Sequence, residues 1–277
     1  MARPESPRRL IVNADDFGRS SSINQAVIRA HREGILTTAS LMVNEPACEE
    51  AVALARECPR LGVGLHISLL CGKSGLPPSE IPGLVDADGN FSSSPVGAGM
   101  KYFFHPQLQR QLELELGEQF ARFRQTGLAL DHVNGHLHLH LHPTVLGLLL
   151  KNDREWGIAR LRLTRDPFRL NARIARGAWI YRATHAAIYA ALSSIARPKL
   201  KQRGIRFAPA VFGLLQNARV DEQFMLSLLP CLPEGESELY SHPSLDEFKN
   251  EFDALISPSV KELVAQQGID LIRYQDL

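Results

Sequence analysis

The chain of 277 residues carries a formal net charge of +1 and 44% hydrophobic residues, a balance that fits a globular protein with a sizeable core and excludes a generally basic, nucleic-acid-like surface. Its four cysteines, Cys48, Cys58, Cys71 and Cys231, are scattered without a CxxC pair, so neither a disulfide framework nor a thiolate zinc site is indicated and reduced thiols are expected. The apolar run before Asn13 is too short for a signal-peptide core and no run approaches the ~20 residues of a membrane-spanning helix, so a cytoplasmic location is expected.

Leu10-Ile11-Val12 reads as a buried strand that ends in Asn13-Ala14-Asp15-Asp16-Phe17-Gly18, two adjacent carboxylates at its C-terminal end. Ser20, Ser21 or Ser22 can cap the helix that follows, where Ile23, Ala26, Val27 and Ala30 keep helical spacing up to Gly34. Residues 39–43 predict a second strand, 47–57 a helix, and Gly62-Val63-Gly64-Leu65-His66 a third strand ending in a histidine. Residues 71–105, rich in Gly, Pro and Ser, predict a long loop, which at that length reads as a lid or substrate-binding segment.

Leu112, Leu116, Phe120 and Phe123 mark one face of a helix over 106–123, with Gly127 placed to end it. Residues 128–133 predict a fourth strand. It runs into Asp131-His132-Val133-Asn134-Gly135-His136-Leu137-His138-Leu139-His140-Leu141-His142-Pro143, which holds five of the ten histidines. A helix carrying Val145, Leu148 and Leu149 starts near Pro143, and residues 159–163 predict a fifth strand. The alternation is then interrupted until about residue 207. Residues 160–206 hold twelve Arg or Lys and one acid, Asp166, a local charge of +11 that leaves the rest of the chain at −10. Trp179, Ile180, Tyr181, Ile188, Tyr189, Leu192 and Ile195 interleave with these charges. A basic segment of this kind either lies on an anionic membrane surface or packs on its own domain with a solvated basic face; nucleic acid is disfavoured because no binding motif accompanies the charge. Strands at 208–212 and Glu238-Leu239-Tyr240, the latter ending at Ser241-His242-Pro243, helices at 220–229, 244–255 and 258–267, and a strand at 269–273 complete the pattern.

Strands alternating with helices imply a parallel sheet, closed or open, whose active site forms at the strands' C-terminal ends. Asp15 and Asp16, His66, the 132–142 cluster and His242 all lie at such ends. One carboxylate and two imidazoles make a three-ligand site with open positions, suited to a divalent metal that activates water, and leave the second carboxylate free as a base. Successive side chains of an extended turn diverge, so a division of labour between Asp15 and Asp16 is expected. Were the histidine run extended, side chains two apart would be ~6.6 Å apart along the chain. His136, His138, His140 and His142 would then span about 20 Å, so that at most two bind one ion. The others would hydrogen-bond the ligands, contact substrate or cap the next helix.

The ordered set of Asn13 to Gly18, Gly64-Leu65-His66, His136 to Pro143 and His242-Pro243 resembles the YdjC-like carbohydrate deacetylases, over nearly the whole chain. Pro77-Pro78-Ser79-Glu80-Ile81-Pro82, Val85-Asp86-Ala87-Asp88-Gly89, Tyr102-Phe103-Phe104 and Leu130 to Asn134 are similar to the hopanoid-biosynthesis-associated branch. The resemblance implies an α/β fold, a distorted (β/α) barrel with about seven parallel strands and a basic helical insertion. It is read as one domain over 1–277, with a loop or lid at 71–105 and a basic amphipathic insertion at about 165–206. The implied activity is metal-dependent removal of an acetyl group from an N-acetylglucosaminyl substrate, a hopanoid glycolipid or, alternatively, soluble chitooligosaccharides. The metal falls on Asp16, His66 and His136, with Asp15 as base and His242 as acid; His138, His140 and Asn134 are left as supporting or substrate-contacting groups. One divalent ion is implied, Zn or Mg first and Co or Ni also arguable. The partner the resemblance implies is the N-acetylglucosaminyl lipid or sugar; the basic stretch itself, independently of the resemblance, leads us to expect peripheral contact with the inner membrane face through 165–206 and no nucleic acid, with a homodimer as an option. Relatives carry Asp-Ser-His-His-His where this chain has Asn134-Gly135-His136-Leu137-His138, and Cys-His-Pro where it has Ser241-His242-Pro243. Three rivals stand beside this reading: a metal-dependent phosphoesterase, a non-haem iron oxygenase, and a non-catalytic metal-binding module built on the histidine run.

Overall fold

The computed structural model describes residues 7–277. Seven strands, all parallel, form one sheet: β1 (Arg8–Phe17), β2 (Thr38–Leu41), β3 (Gly62–Ile67), β4 (Leu130–Gly135), β5 (Ala210–Phe212), β6 (Gly235–Ser241) and β7 (Asp270–Ile272). Their order is β4-β3-β2-β1-β6-β5, with β7 also paired to β1. Strand β1 is central because Leu10 to Phe17 are buried throughout, as expected of a parallel strand covered on both faces. It changes neighbour along its length: Arg9 to Ile11 pair with β7, and Asn13 onward with β2. Its register to β2 slips between Ala14 and Phe17, where Asp16 takes a left-handed φ of 63°. Such a bulge re-aims side chains at a strand end, here the two adjacent carboxylates.

The expected strand at 159–163 is not one. Leu161 makes a single parallel bridge to Val133 of β4, and Arg160 another to Arg206. Backbone hydrogen bonds pass from Val133 through Arg160, Leu161 and Arg162 to Arg206, and from Val211 N–H to the Arg165 carbonyl. The segment therefore carries the barrel wall from β4 toward β5 without two consecutive rungs on either side, which is the distortion of the barrel.

The helices between the strands follow their caps and apolar stripes. Helix α1 (Ser21–Glu33) starts where the Ser20 hydroxyl accepts from Ile23 N–H at 3.3 Å. Then come α2 (Cys48–Arg56), α3 (Pro95–Phe104) and α4 (Gln109–Gln125), the last burying Leu112, Leu116, Phe120 and Phe123 as its spacing predicted. Helix α3 lies inside the segment expected to be loop: its composition suggested none, but the Ser94 side chain accepts from Gly97 N–H and Ala98 and Tyr102 are buried. Farther along are α5 (Pro143–Lys151), α6 (Asp153–Trp156), α7 (Phe168–Ile174), α8 (Trp179–Gln202), α9 (Glu222–Leu228), α10 (Lys249–Ile256) and α11 (Pro258–Gln266). The basic stretch is thus two helices, α7 and the 24-residue α8. No helix among the described residues is long and apolar enough to cross a membrane.

Gly64 in β3 shows how tightly the site's walls are packed. A Cβ there would sit 2.5 Å from His132 Cε1 and 2.6 Å from the His132 carbonyl oxygen. His132 cannot yield, since Asp131 holds its Nδ1 at 3.0 Å, Ser40 its Nε2 at 2.9 Å, and its ring stacks on Tyr274 at 4.3 Å. Gly64→Ala is expected to cost about 1–3 kcal/mol by overpacking, lowering Tm by roughly 2–10 °C in a thermal melt.

Candidate metal centre

Asp16 at the end of β1, His66 near the end of β3 and His136 just beyond β4 converge, each offering one ligand atom, with all three atoms within 4.8 Å of one another. Asp16 Oδ1 lies 3.4 Å from His66 Nε2 and 3.1 Å from His136 Nδ1. Ligand atoms 2.0–2.1 Å from a tetrahedral ion lie roughly 3.3 Å apart, so the spacing suits a small divalent metal. Burial works to raise the Asp16 carboxyl, but the hydrogen bond with the His136 imidazole opposes it and the group lies well below the usual carboxylate range. Its other oxygen accepts from Arg19 Nη1 at 2.9 Å.

The hydrogen-bond donors around Asn134 determine which nitrogen of His66 is free. Asn134 Nδ2 donates to Asp15 Oδ1 at 3.1 Å and to Ser40 Oγ at 2.8 Å. An ionised carboxylate only accepts, so the amide cannot be flipped. Asn134 Oδ1 therefore faces His66 Nδ1 at 2.7 Å and accepts a hydrogen bond from its N–H. In the neutral ring Nε2 is then a bare lone pair aimed at Asp16 Oδ1. Two lone pairs so placed repel, and a cation between them removes the conflict; the donor set fits a metal.

Asp15, one residue earlier, points elsewhere. Arg162 donates to both its oxygens, Nη1 to Oδ2 at 2.7 Å and Nη2 to Oδ1 at 2.9 Å, and Asn13 Nδ2 adds a bond at 2.8 Å. Burial would raise this carboxyl, but the Arg162 guanidinium prevails and keeps it far below the ordinary carboxylate value. Arg162 is fully buried and also holds Glu238, Nε to Oε1 at 2.8 Å, while Tyr274 OH donates to the other Glu238 oxygen. His242 follows β6 directly, and Ser241 pairs in register with Ala14, so His242 stands opposite Asp15 across neighbouring strands. Its Nδ1 is 4.0 Å from Glu251 Oε2, which also accepts from the His242 backbone N–H at 2.6 Å.

The histidine run is not extended. Residues His136–Leu141 form a 3-10 segment kinked at Leu137 and His138, both left-handed with φ of 50° and 57°. The kink turns the later histidines away from His136. His138 Nε2 meets Tyr240 OH at 2.9 Å and its Nδ1 meets Thr164 Oγ1 at 3.3 Å; burial and nearby Arg162 push its pKa well down, so it stays neutral. His140 Nε2 donates to the Arg162 carbonyl at 3.0 Å, and burial and Arg162 pull its pKa down to about 3. Both brace the wall under the site, His140 with no exposed surface for a substrate. His142 lies against Tyr102 and Phe103.

The sequence reading did not single out Arg162, Glu238, Glu251 and Arg19. Arg162 was counted only as part of a basic stretch, and no linear spacing separates it from its exposed neighbours; the one available signal was an arginine at an apolar strand-like position between Leu161 and Leu163.

The family profile described as YdjC-like protein matches residues 9–266. A carbohydrate deacetylase of Geobacillus stearothermophilus is 30% identical over 98% of this chain and 98% of its own length. A chitooligosaccharide deacetylase of Serratia marcescens is 31% identical over 97% and 98%. A carbohydrate deacetylase of Brevibacillus brevis is 42% identical over 54% of this chain and 57% of its own length. Among solved structures, one from Enterococcus faecalis V583, titled for cellobiose-phosphate cleavage, superposes with a TM-score of 0.74 at 24% identity over 98% of this chain and 99% of that one. At that identity the likeness speaks for the fold alone.

Asn134→Leu removes the acceptor that holds the His66 proton on Nδ1 and is expected to weaken Zn²⁺ binding by about 10–100-fold in isothermal titration. Arg162→Met leaves Asp15 and Glu238 buried without their cation, at a cost of about 3–5 kcal/mol. In the wild type the depressed Asp15 contributes stability that is present above its unfolded value of about 3.9 and lost as pH falls through the folded one. In the variant burial is left to raise Asp15, so acid stabilises it, and the gap in Tm between the two proteins should narrow from pH 7 to pH 4.5. A gap that stays constant would contradict this account of Arg162.

Proposed function

Because the chain belongs to the YdjC-like protein family, we propose that it is a metal-dependent hydrolase that removes the acetyl group from an N-acetylated sugar, with N-acetylglucosaminyl units as substrate. The observation that carries the reading is the convergence of Asp16, His66 and His136 beside a separately held, ionised Asp15. A storage module would need no such second carboxylate, and an array of equivalent histidine sites is unsupported where His138 and His140 are bonded to Tyr240 and to the Arg162 backbone.

A divalent ion on these three ligands would polarise the acetamide carbonyl and lower the pKa of water, which is what lets a carboxylate as weakly basic as Asp15 accept a proton. Asp15 takes that proton, and its Arg162 clamp keeps it ionised and aimed. His242, across from Asp15 and backed by Glu251, gives a proton to the departing amine. Asn134 ties base to ligand, with its amide nitrogen on Asp15 and its oxygen on His66.

The relatives named for carbohydrate and chitooligosaccharide deacetylation support an acetylated amino sugar. The lipid-linked form, a hopanoid glycolipid, is supported by the resemblance of residues 77–89 and 102–104 to the hopanoid-associated branch and by the exposed apolar Leu137 next to His136. The soluble chitooligosaccharide reading is supported by the Serratia relative.

Asp15→Asn is expected to lower acetate release by about 10²–10⁴-fold while metal content stays near that of the wild type. A variant that turns over at near wild-type rate would remove Asp15 as the base. Acetate release from N-acetylglucosaminyl hopanoid and from chitooligosaccharide, assayed side by side on metal-loaded protein, assigns the substrate; phosphate release from sugar phosphates with no acetate would assign a phosphoesterase instead.

A further inference from the structure

Helix α8 is built unlike the other helices. From Trp179 to Ala196 its one fully charged side chain is Arg182, and that guanidinium is buried against Asn171 and the carbonyls of Ala175 and Gly177. Its exposed residues Ile180, Thr184, Ala187, Ile188, Ala191 and Ile195 recur at helical spacing and form an uncharged stripe, with Ile180 83% exposed. Basic residues close both ends: Arg169, Arg173 and Arg176 before the helix, Lys199 and Lys201 at its finish, all exposed, while Arg203 just beyond is paired with Asp153 at 3.2 Å. From Pro167 to Val220 the chain holds no Asp or Glu.

A second exposed apolar face belongs to another helix. Helix α3 buries Ala98 and Tyr102, yet Val96, Met100, Phe103 and Phe104 are exposed on another face, Val96 at 77%. Helix α8 reaches the turn that carries His136, and α3 reaches the residue that closes that turn, His142. Tyr189 OH of α8 donates to the Leu137 carbonyl at 3.1 Å, and the Phe103 ring of α3 lies 6.2 Å from that of His142. Leu137, next to the ligand His136, is itself exposed.

We propose that α3, the 136–141 turn and α8 form one docking face for an anionic lipid bilayer, which brings the mouth of the metal site to the lipid surface. Exposed apolar stripes of this length are unusual on a monomer facing water, and apolar burial combined with the attraction of nearby Lys and Arg to anionic headgroups is what holds a surface at a bilayer. Trp179, half exposed beside the arginines, sits where interfacial aromatics anchor. Charge decides the occupant. A second copy on this face would set basic clusters against basic clusters with no acid to neutralise them, whereas anionic headgroups do neutralise them, each Lys or Arg near such a surface contributing about fivefold in affinity. The inference goes beyond the deacetylase reading and does not depend on it.

The test is co-sedimentation of the full chain with vesicles of phosphatidylcholine alone and of phosphatidylcholine with about one-third phosphatidylglycerol. Partitioning onto the anionic vesicles is expected, with at least a tenfold loss as salt rises from about 0.05 to 0.5 M. A blue shift in tryptophan emission should accompany binding, and of the two tryptophans only Trp179 is exposed to report it. Ile180→Asp with Ile188→Asp, and separately Arg173→Glu with Arg176→Glu, should each lower partitioning at least tenfold. All four are exposed positions, and acetate release from soluble chitooligosaccharide should be unchanged. Equal binding to neutral and anionic vesicles, binding indifferent to both pairs of substitutions, or a wild-type dimer that the Ile180/Ile188 pair dissolves would each overturn the proposal. Anionic-vesicle binding by a chain that releases no acetate would uphold the docking face and count against deacetylation alone.

Discussion

The guanidinium of Arg162 is buried inside the barrel between the carboxylates of Asp15 and Glu238, with the ring of Tyr240 beneath it at 4.4 Å. A lone cation in such a place would cost several kcal/mol in lost hydration; paired on both edges and stacked on an aromatic face, it is compensated. The elements of the site depend on it. Asp15 belongs to β1, Glu238 to β6, and Tyr274, which donates to Glu238, to the C-terminal turn; the Arg162 carbonyl in turn accepts from His140. One side chain thus joins the centre of the sheet, its neighbouring strand, the last turn of the chain and the histidine segment. The irregular stretch around residues 159–165 becomes intelligible in the same terms, because it closes the barrel wall through few backbone rungs while delivering this side chain to the interior.

From Arg162 the order propagates to the candidate metal ligands through donors and acceptors that have no alternative. Asp15, kept ionised, can only accept, so Asn134 must present its nitrogen to Asp15 and its oxygen to His66. His66 is left with Nε2 bare toward Asp16. The two adjacent aspartates perform different work because the bulge at the end of β1, with Asp16 in a left-handed conformation, sends one to Arg162 and the other to the imidazoles. Strain of that kind is tolerated where surrounding contacts over-determine it, and the hydrogen bonds of Asp16 with Arg19 and His136 do so.

Much of this was legible beforehand. Parallel strands buried on both faces read as apolar runs, so β1, β2, β3 and β4 could be placed within a few residues, and polar residues at their C-terminal ends announced Asp15, Asp16, His66 and His136. Where the strand-like pattern of residues 159–163 misled, the cause was tertiary: a strand exists only if a neighbour supplies successive rungs, and here the neighbours supply one each. Helix α3 was hidden by its Gly and Pro content, since Pro95 is favourable in a first helical turn and Gly97 and Gly99 are tolerated once Ala98 and Tyr102 pack. The histidine run was the loudest signal and the least economical one, for only His136 faces the other ligands.

By itself, the sequence determined the parallel α/β class, the strand-end location of the site and the pairing of an acidic dipeptide with distant histidines, because periodicity and residue chemistry are local properties carried along the chain. The tertiary structure gathers Asp16, His66 and His136 as the family resemblance implied, and it alone decided that Arg162 and not a surface residue clamps Asp15, and that Asn134 links Asp15 to His66. Those choices depend on a kink at Leu137 and His138, on strand register, and on which lone pairs are left without a proton, none of which has a linear signature. The uncharged face of α8 belongs to the same category: the residues were visible as an apolar set among arginines, but which of them would be left facing outward was settled only when the helix packed.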